Sequence, residues 1–309
     1  MIRAGVIGVG SLGQHHARIM NSIPGVQLVG VADIAEEQGR TIANKNGVRY
    51  FRDFREMIPE VDCVTVAVPT VDHLRVCLPF LEAGCHVLVE KPIASTVAEA
   101  REMIRLSAER GVILLVGHLE RFNPALLAVR NLITEPKFFE IHRLGVFVPR
   151  SLDVDVVLDL MIHDLDMVLH LTGSKPVEIR AVGVPVITGK IDIANARLQL
   201  ANGAVANLTA SRVSMEKVRK LRFFQPDSYI SVDLGRQTVA AFGLQPADTP
   251  VGKEIVNRQI LVEPGEPLRY EIEAFVRSVI ENKRIGCTGE EGLAALEIAH
   301  EILQSIRPV

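Results

Sequence analysis

Asp159, His163, Asp166 and His170 stand four, three and four positions apart in DVDVVLDLMIHDLDMVLHLTG, residues 153–173. At helical periodicity, positions three and four apart share a face, so these side chains form one polar stripe. Imidazole titrates near neutrality and a neighbouring carboxylate can orient it, a pairing suited to moving a proton. Nearly everything else from Val156 to Leu171 is apolar. A surface helix has a broad polar face and a narrow apolar one. Here the pattern is inverted, which predicts a mostly buried helix whose few polar groups meet a cavity or a partner. The stripe could equally do no more than satisfy neighbouring loops.

Lys91 is the second residue that could do chemistry. It follows HVLVE, which reads as a buried strand, and a lysine there could hydrogen-bond a substrate hydroxyl and shift its proton affinity. A plain surface lysine capping a strand end is the alternative. A third group is Gly8, Gly10 and Gly13 in GVGSLG, directly after the apolar run IRAGVIG. A helix from about residue 11 to 22 and a strand VQLVGVAD ending at Asp33 complete a dinucleotide-binding fingerprint. Gly8 permits the tight turn, Gly10 lets the backbone approach a pyrophosphate, and Gly13 allows close helix–strand packing. The phosphates would meet the helix N-terminus, at Ser11, Leu12 and Gly13, where free N–H groups point outward. Asp33 would accept hydrogen bonds from the adenosine ribose. Ile34 and Ala35 follow, with no arginine for a 2′-phosphate, so NAD is expected in preference to NADP. His15 and His16 open the same helix, but no third ligand has usable spacing and no metal site is read.

These groups need a scaffold, and the pattern supplies one. Strand-like runs at 61–68, 86–90 and 112–116 alternate with helical stretches at about 71–83 and 96–110. That alternation predicts a doubly wound parallel sheet, with ligands bound beyond the carboxyl ends of its strands. Polar clusters fall at such ends: Pro69-Thr70 with His73, Glu90-Lys91-Pro92, and His118 with Glu120, Arg121 and Asn123. After Pro124 the order changes. A helix at 125–134, a long strand at 137–147 and the inverted helix at 156–172 precede strand-like runs near 177–187, 190–200, 203–211, 218–225, 228–234, 237–243 and 258–262. Short turns, including Asn202-Gly203, predict a mostly antiparallel open sheet covered by helices on one face. Its other face suggests subunit association, as a homodimer or homotetramer. Helices at about 268–283 and 289–306 close the chain, the second with Thr288 and Glu291 at capping-box spacing. The fold class is therefore α/β, with a Rossmann domain over residues 1–118 and a substrate-binding and oligomerisation domain over 119–309, whose last helices could return to the first. A basic run, Arg212, Lys217, Arg219, Lys220 and Arg222, reads as either a solvated strand edge or a phosphate contact.

Composition narrows the classes. With 309 residues, 48% of them hydrophobic and 23% charged, the chain can build two ordinary cores. A net charge of −3 gives no reason to expect nucleic acid or an acidic membrane as partner. No apolar run is long enough for a membrane span and no signal peptide is legible. Cys63, Cys77, Cys85 and Cys287 lack metal-type pairing, and are expected as reduced core residues of a cytoplasmic protein.

Three motifs taken together, Gly8-x-Gly10-x-x-Gly13, Glu90-Lys91-Pro92 and Asp159-x-x-x-His163, resemble the glucose–fructose oxidoreductase, inositol dehydrogenase and rhizopine-catabolism (Gfo/Idh/MocA) oxidoreductases, along essentially the whole chain. The resemblance implies an NAD(P)-dependent oxidoreductase acting on a sugar or cyclitol hydroxyl, with catalytic roles on Lys91, Asp159 and His163. Asp166, Arg121, Asn123 and Arg219 would serve the substrate, and Pro69, Thr70, His73, Glu90 and Lys91 would line the cofactor. Where many members carry small residues, this chain has Val156-Val157-Leu158 and Met161, which points away from a free monosaccharide. VVLDLMIHDLD and GHLERFNP are similar to the branch that oxidises the 3-hydroxyl of UDP-N-acetylated sugars. Inositol, a free sugar or a diol is the alternative substrate. A non-catalytic, NAD-binding ligand sensor is the alternative class.

Overall fold

The computed structural model describes residues 1–148 and 154–306. Asp153, the first residue of the inverted stretch, lies outside them. Two compact units are formed, Met1–Leu119 with Pro267–Leu296 and Glu120–Glu266 with the chain from Glu297 onward.

In the first unit, strands β1 (Ile2–Ile7), β2 (Val26–Ala32), β3 (Arg49–Phe51), β4 (Cys63–Val66), β5 (His86–Glu90) and β6 (Leu114–Gly117) form a parallel sheet. Its order is β6-β5-β4-β1-β2-β3, the doubly wound arrangement expected from the alternating pattern. Helices α1 (Gly13–Met20), α2 (Glu36–Asn46), α3 (His73–Glu82) and α4 (Val97–Arg110) make the crossovers. Sequence patterning passed over α2 and β3. The first is weakly amphipathic and rich in Glu, Gln, Arg and Asn, and the second is only three residues long. The buried β4 reads CVTV, covered on both faces as a central parallel strand must be. Thr96 caps α4 in a reciprocal box with Glu99.

The second unit is an eight-stranded sheet in the order β14-β13-β12-β11-β7-β10-β9-β8. Its strands are β7 (Phe138–Leu144), β8 (Pro176–Val184), β9 (Ile193–Leu200), β10 (Val205–Ser211), β11 (Val218–Gln225), β12 (Ser228–Asp233), β13 (Thr238–Pro246) and β14 (Lys253–Arg258). Every pairing is antiparallel except β7 with β10. Asn202-Gly203 turns β9 into β10, with Gly203 at φ +84°. The strand expected at 258–262 ends at Arg258 instead. One face carries Phe139, Ile141, Leu208, Leu221 and Phe223, all buried, under α5 (Pro124–Val129) and α6 (Ile162–Thr172).

The inverted helix is not one regular helix. Val157–Met161 form a π turn, and α6 begins only at Ile162. A π turn widens the coil by one residue, and such turns are frequent at functional sites. Positions before and after it therefore no longer keep the 3.6-residue phase, and the single stripe breaks up. Asp159 and His163 are half-buried, Asp166 is buried, and His170 is exposed.

The chain then ends in α7 (Pro267–Glu281), a two-residue strand β15 (Cys287–Thr288) antiparallel to β6, and α8 (Gly289–Ser305). Thr288 accepts from the Glu291 N–H and its own N–H donates to the Glu291 carboxylate, closing the expected box. All four cysteines are buried thiols outside any disulfide. Burial pushes the Cys63 and Cys77 thiols upward, away from the reactive thiolate. Among the described residues no helix is long and apolar enough to cross a membrane.

Candidate functional site

In the first unit the glycine turn is tight enough to exclude side chains. A Cβ on Gly13 would lie 1.8 Å from the Gly8 carbonyl oxygen, so α1 packs against the turn as the fingerprint requires. Above Gly10 there is nothing within 4 Å of where a Cβ would stand. That open ledge at the start of α1 is what a pyrophosphate needs, and the residues present fit NAD. Asp33 sits at the end of β2. Its Oδ2 accepts the Val9 N–H at 2.8 Å and its Oδ1 the Ala35 N–H at 2.8 Å. A carboxylate has about four lone-pair sites, so both oxygens keep acceptor capacity for ribose hydroxyls.

A cavity of about 530 Å³ opens beside these groups, lined by Gly8, Gly10, Asp33, Pro69 and Arg52 among others. Phe54 forms another part of the wall, with the guanidinium carbons of Arg55 and Arg75 at 5.1 and 5.8 Å from its ring centre. None of Arg52, Arg55 and Arg75 stood out in the sequence. The pairing of β2 with β3 brings Arg52 here, and only knowledge of that short strand could have placed it.

Two residues expected against the cofactor are hydrogen-bonded within the protein. His73 is buried with Nδ1 2.9 Å from the Pro92 carbonyl and Nε2 3.1 Å from the Val68 carbonyl. Burial lowers its pKa, against the pull of those carbonyls. Glu90 is buried too, its Oε1 3.0 Å from Nε2 of His16. Both bonds brace the turn that carries Lys91, which is half-buried and followed by a cis Lys91–Pro92 peptide. Thr70 is half-buried at the end of the loop after β4.

In the second unit the inner face of the sheet ends in charge. β7 alternates Phe139, Ile141 and Arg143 inward, and Arg143 pairs in register with Arg219 on β11. Arg143 donates through Nε and Nη2 to Asp164 at 2.8–3.1 Å and through Nη1 to Glu120 at 2.8 Å. Arg219 lies 3.8 Å from Glu120 and is about one-third exposed. Arg121 grips Asp166 through two bonds of 2.6 and 2.8 Å, with both side chains buried. Arg121 and Asp166, expected to contact substrate, are thus each other's partners. Asn123 caps α5 through the Ala125 N–H and donates to Glu120 and the Leu234 carbonyl. The two ion pairs clamp α6 at Asp164 and Asp166, the first of them adjacent to His163. Asp164 escaped notice because it falls off the i, i+4 stripe.

The basic run splits. Arg212 is buried against Asp192 at 2.9 Å and donates to the Val154 carbonyl, holding the start of the π turn. Burial opposes a charge on Asp192, but hydrogen bonds from Thr188, Ile187 and Val186 outweigh it and hold the carboxyl below its usual range. Strand alternation puts Arg219 on the inner face with Leu221 and Phe223. It turns Lys220 and Arg222 to the outer face, where Arg222 meets Glu140 at 3.1 Å.

Residues 2–118 match the family model "oxidoreductase family, NAD-binding Rossmann fold", and residues 137–225 match the GFO/IDH/MocA C-terminal domain. UDP-N-acetylglucosamine 3-dehydrogenase of Acidithiobacillus ferrooxidans is 38% identical, over 97% of this chain and 96% of its own. A structure of that enzyme superposes with a TM-score of 0.92, covering 99% of this chain and 97% of that one. Inositol 2-dehydrogenase of Rhizobium meliloti is 27% identical, over 99% of this chain and 97% of its own. Levoglucosan dehydrogenase, at 19% identity and a TM-score of 0.87 over 98% and 96% of the two chains, shares the fold.

Proposed function

The chain belongs to the GFO/IDH/MocA oxidoreductase family, and we propose from that premise that it is an NAD-dependent dehydrogenase oxidising the 3-hydroxyl of a UDP-N-acetylated sugar to the ketone. The likeness to the Acidithiobacillus ferrooxidans enzyme, which runs through nearly the whole chain, carries this reading. Arg219 supports it, since a partly exposed cation on the inner face is suited to a diphosphate.

His163 takes the proton of the substrate hydroxyl, as imidazole can near neutral pH. Asp159 orients that ring and stabilises its charged form. Lys91 donates to the same oxygen and favours the developing alkoxide. Bound NAD supplies the acceptor for the hydride leaving the carbinol carbon. Gly10, Ser11 and Leu12 receive the pyrophosphate, Asp33 the ribose, and Pro69 and Thr70 form the wall beyond. Arg121, Asn123 and Asp166 support α6. Oxidation of inositol is the second reading, favoured by the relatives that act on it.

NADH formation with UDP-sugars, free hexoses and inositols, run with NAD and NADP, tests the proposal. Turnover confined to UDP-N-acetylated sugars is expected; turnover with inositol alone would replace the substrate, and no turnover with NAD bound would favour a sensor. Arg219→Ala should raise KM for the UDP-sugar about tenfold, as a lost charged hydrogen bond does, and spare a neutral polyol. Lys220→Ala, on the outer face, should change neither. Equal effects of the two would remove Arg219 from the site.

The outer face of the sheet carries a row of rings, Phe138, Phe224, Tyr229 and Phe242, with successive centres 4.7–6.1 Å apart. A second copy of the chain is the partner proposed for it. Light scattering should give a dimer or tetramer, and Phe224→Glu with Tyr229→Lys should shift it towards monomer; an unchanged mass would place the interface elsewhere. The four buried thiols suit the cytoplasm as compartment.

A further inference from the structure

We infer that Arg52 gives a 2′-phosphate on the adenosine ribose a cationic partner beside Asp33, so that the protein binds NADP as well as NAD. The inference rests on the reading of the first unit as the cofactor site. β2 and β3 are parallel, and their last paired positions are Ala32 and Phe51. The Asp33 N–H donates to the Phe51 carbonyl at 3.3 Å, so one step further along the ladder Asp33 and Arg52 are neighbours on adjacent strands. Both line the same cavity.

Charge accounting singles out Arg52 among the three arginines of that wall. Arg75 is paired with Asp72 at 2.9 Å and Arg55 with Asp53 at 3.4 Å, and both lie against Phe54. The carboxylate facing Arg52 is Glu36 at 4.0 Å, and Glu36 is already engaged by Arg40 at 2.8 Å. Arg52 is largely exposed, so an arriving phosphate meets a guanidinium whose present bond is weak. Bidentate phosphate recognition is the geometry a guanidinium serves best. Asp33 disfavours the 2′-phosphate and Arg52 favours it, and the balance between them sets the coenzyme ratio.

The test is direct binding of NAD, NADP, 5′-ADP and 2′,5′-ADP by titration calorimetry, needing no substrate. In Arg52→Ala, affinity for NADP and 2′,5′-ADP should fall about tenfold, as a charged hydrogen bond implies, with NAD and 5′-ADP unchanged. Glu36→Gln should move the phosphorylated pair the other way. The wild-type NADP affinity should also weaken more steeply with salt than that for NAD. An unchanged NADP-to-NAD ratio in both variants, or no NADP binding by wild type and Glu36→Gln, would overturn the inference while leaving the cofactor site intact. Loss of NAD binding by the wild-type protein would instead remove that site and the inference with it.

Discussion

Replacing His163 with alanine should cut kcat by about 10²- to 10⁴-fold, the range for removing a positioned general base. His163 is the second residue of α6, at the exit of the π turn, and it is half-buried. Its neighbours Val157, Met161, Ile162 and Leu165 are buried apolar residues. Truncation at a half-exposed position leaves that core in place, so the melting temperature should move little. NAD affinity should be nearly that of the parent, because the glycine turn and Asp33 belong to the other unit. Kinetics and calorimetry on one preparation separate these quantities. Near-normal turnover would exclude His163 as the base; lost NAD affinity would point to damage beyond the side chain.

The second large effect concerns stability. Arg143→Met leaves Asp164 and Glu120 buried without their shared guanidinium, and breaking such a buried pair costs about 3–5 kcal/mol. Burial already raises the Asp164 pKa, with Arg143 opposing it, so losing Arg143 raises it further. A carboxyl with a raised folded pKa binds more protons folded than unfolded, and its contribution to stability is lost as pH rises. The variant should therefore fall furthest below wild type at alkaline pH and recover part of the deficit on acidification. Adding Asp164→Leu should restore some stability by removing the stranded charge. Denaturant unfolding at two pH values reads all of this. A loss below about 1 kcal/mol, within the range of a surface ion pair, would mean the cluster does not anchor α6.

What was legible in the sequence follows the range of the signals. The cradle was readable because turn, helix and acid lie within one continuous stretch, Gly8 to Asp33. The sheets were readable from alternation and from Asn202-Gly203. The π turn was not, since VLDLM, with Asp159 four positions before His163, keeps the spacing of a regular helix. Arg143 and Asp164 are 21 positions apart and meet only when β7 packs under α6. The basic run looked like one feature in a linear chain, yet the period-two alternation of a strand put Arg219 and Lys220 on opposite faces. Arg52 needed the register of a three-residue strand.

Asp33 carries one more consequence. Its two oxygens hold the Val9 and Ala35 N–H groups, so the carboxylate proposed to bind the ribose is also a strut between the glycine turn and the start of α2. If Asp33 reads the ribose as proposed, coenzyme choice and turn shape are written on one side chain. A lineage, or an engineer, that deletes the acid to admit a phosphate also loosens the ledge that must hold the pyrophosphate. The accessible route to a new coenzyme keeps Asp33 and changes its surroundings.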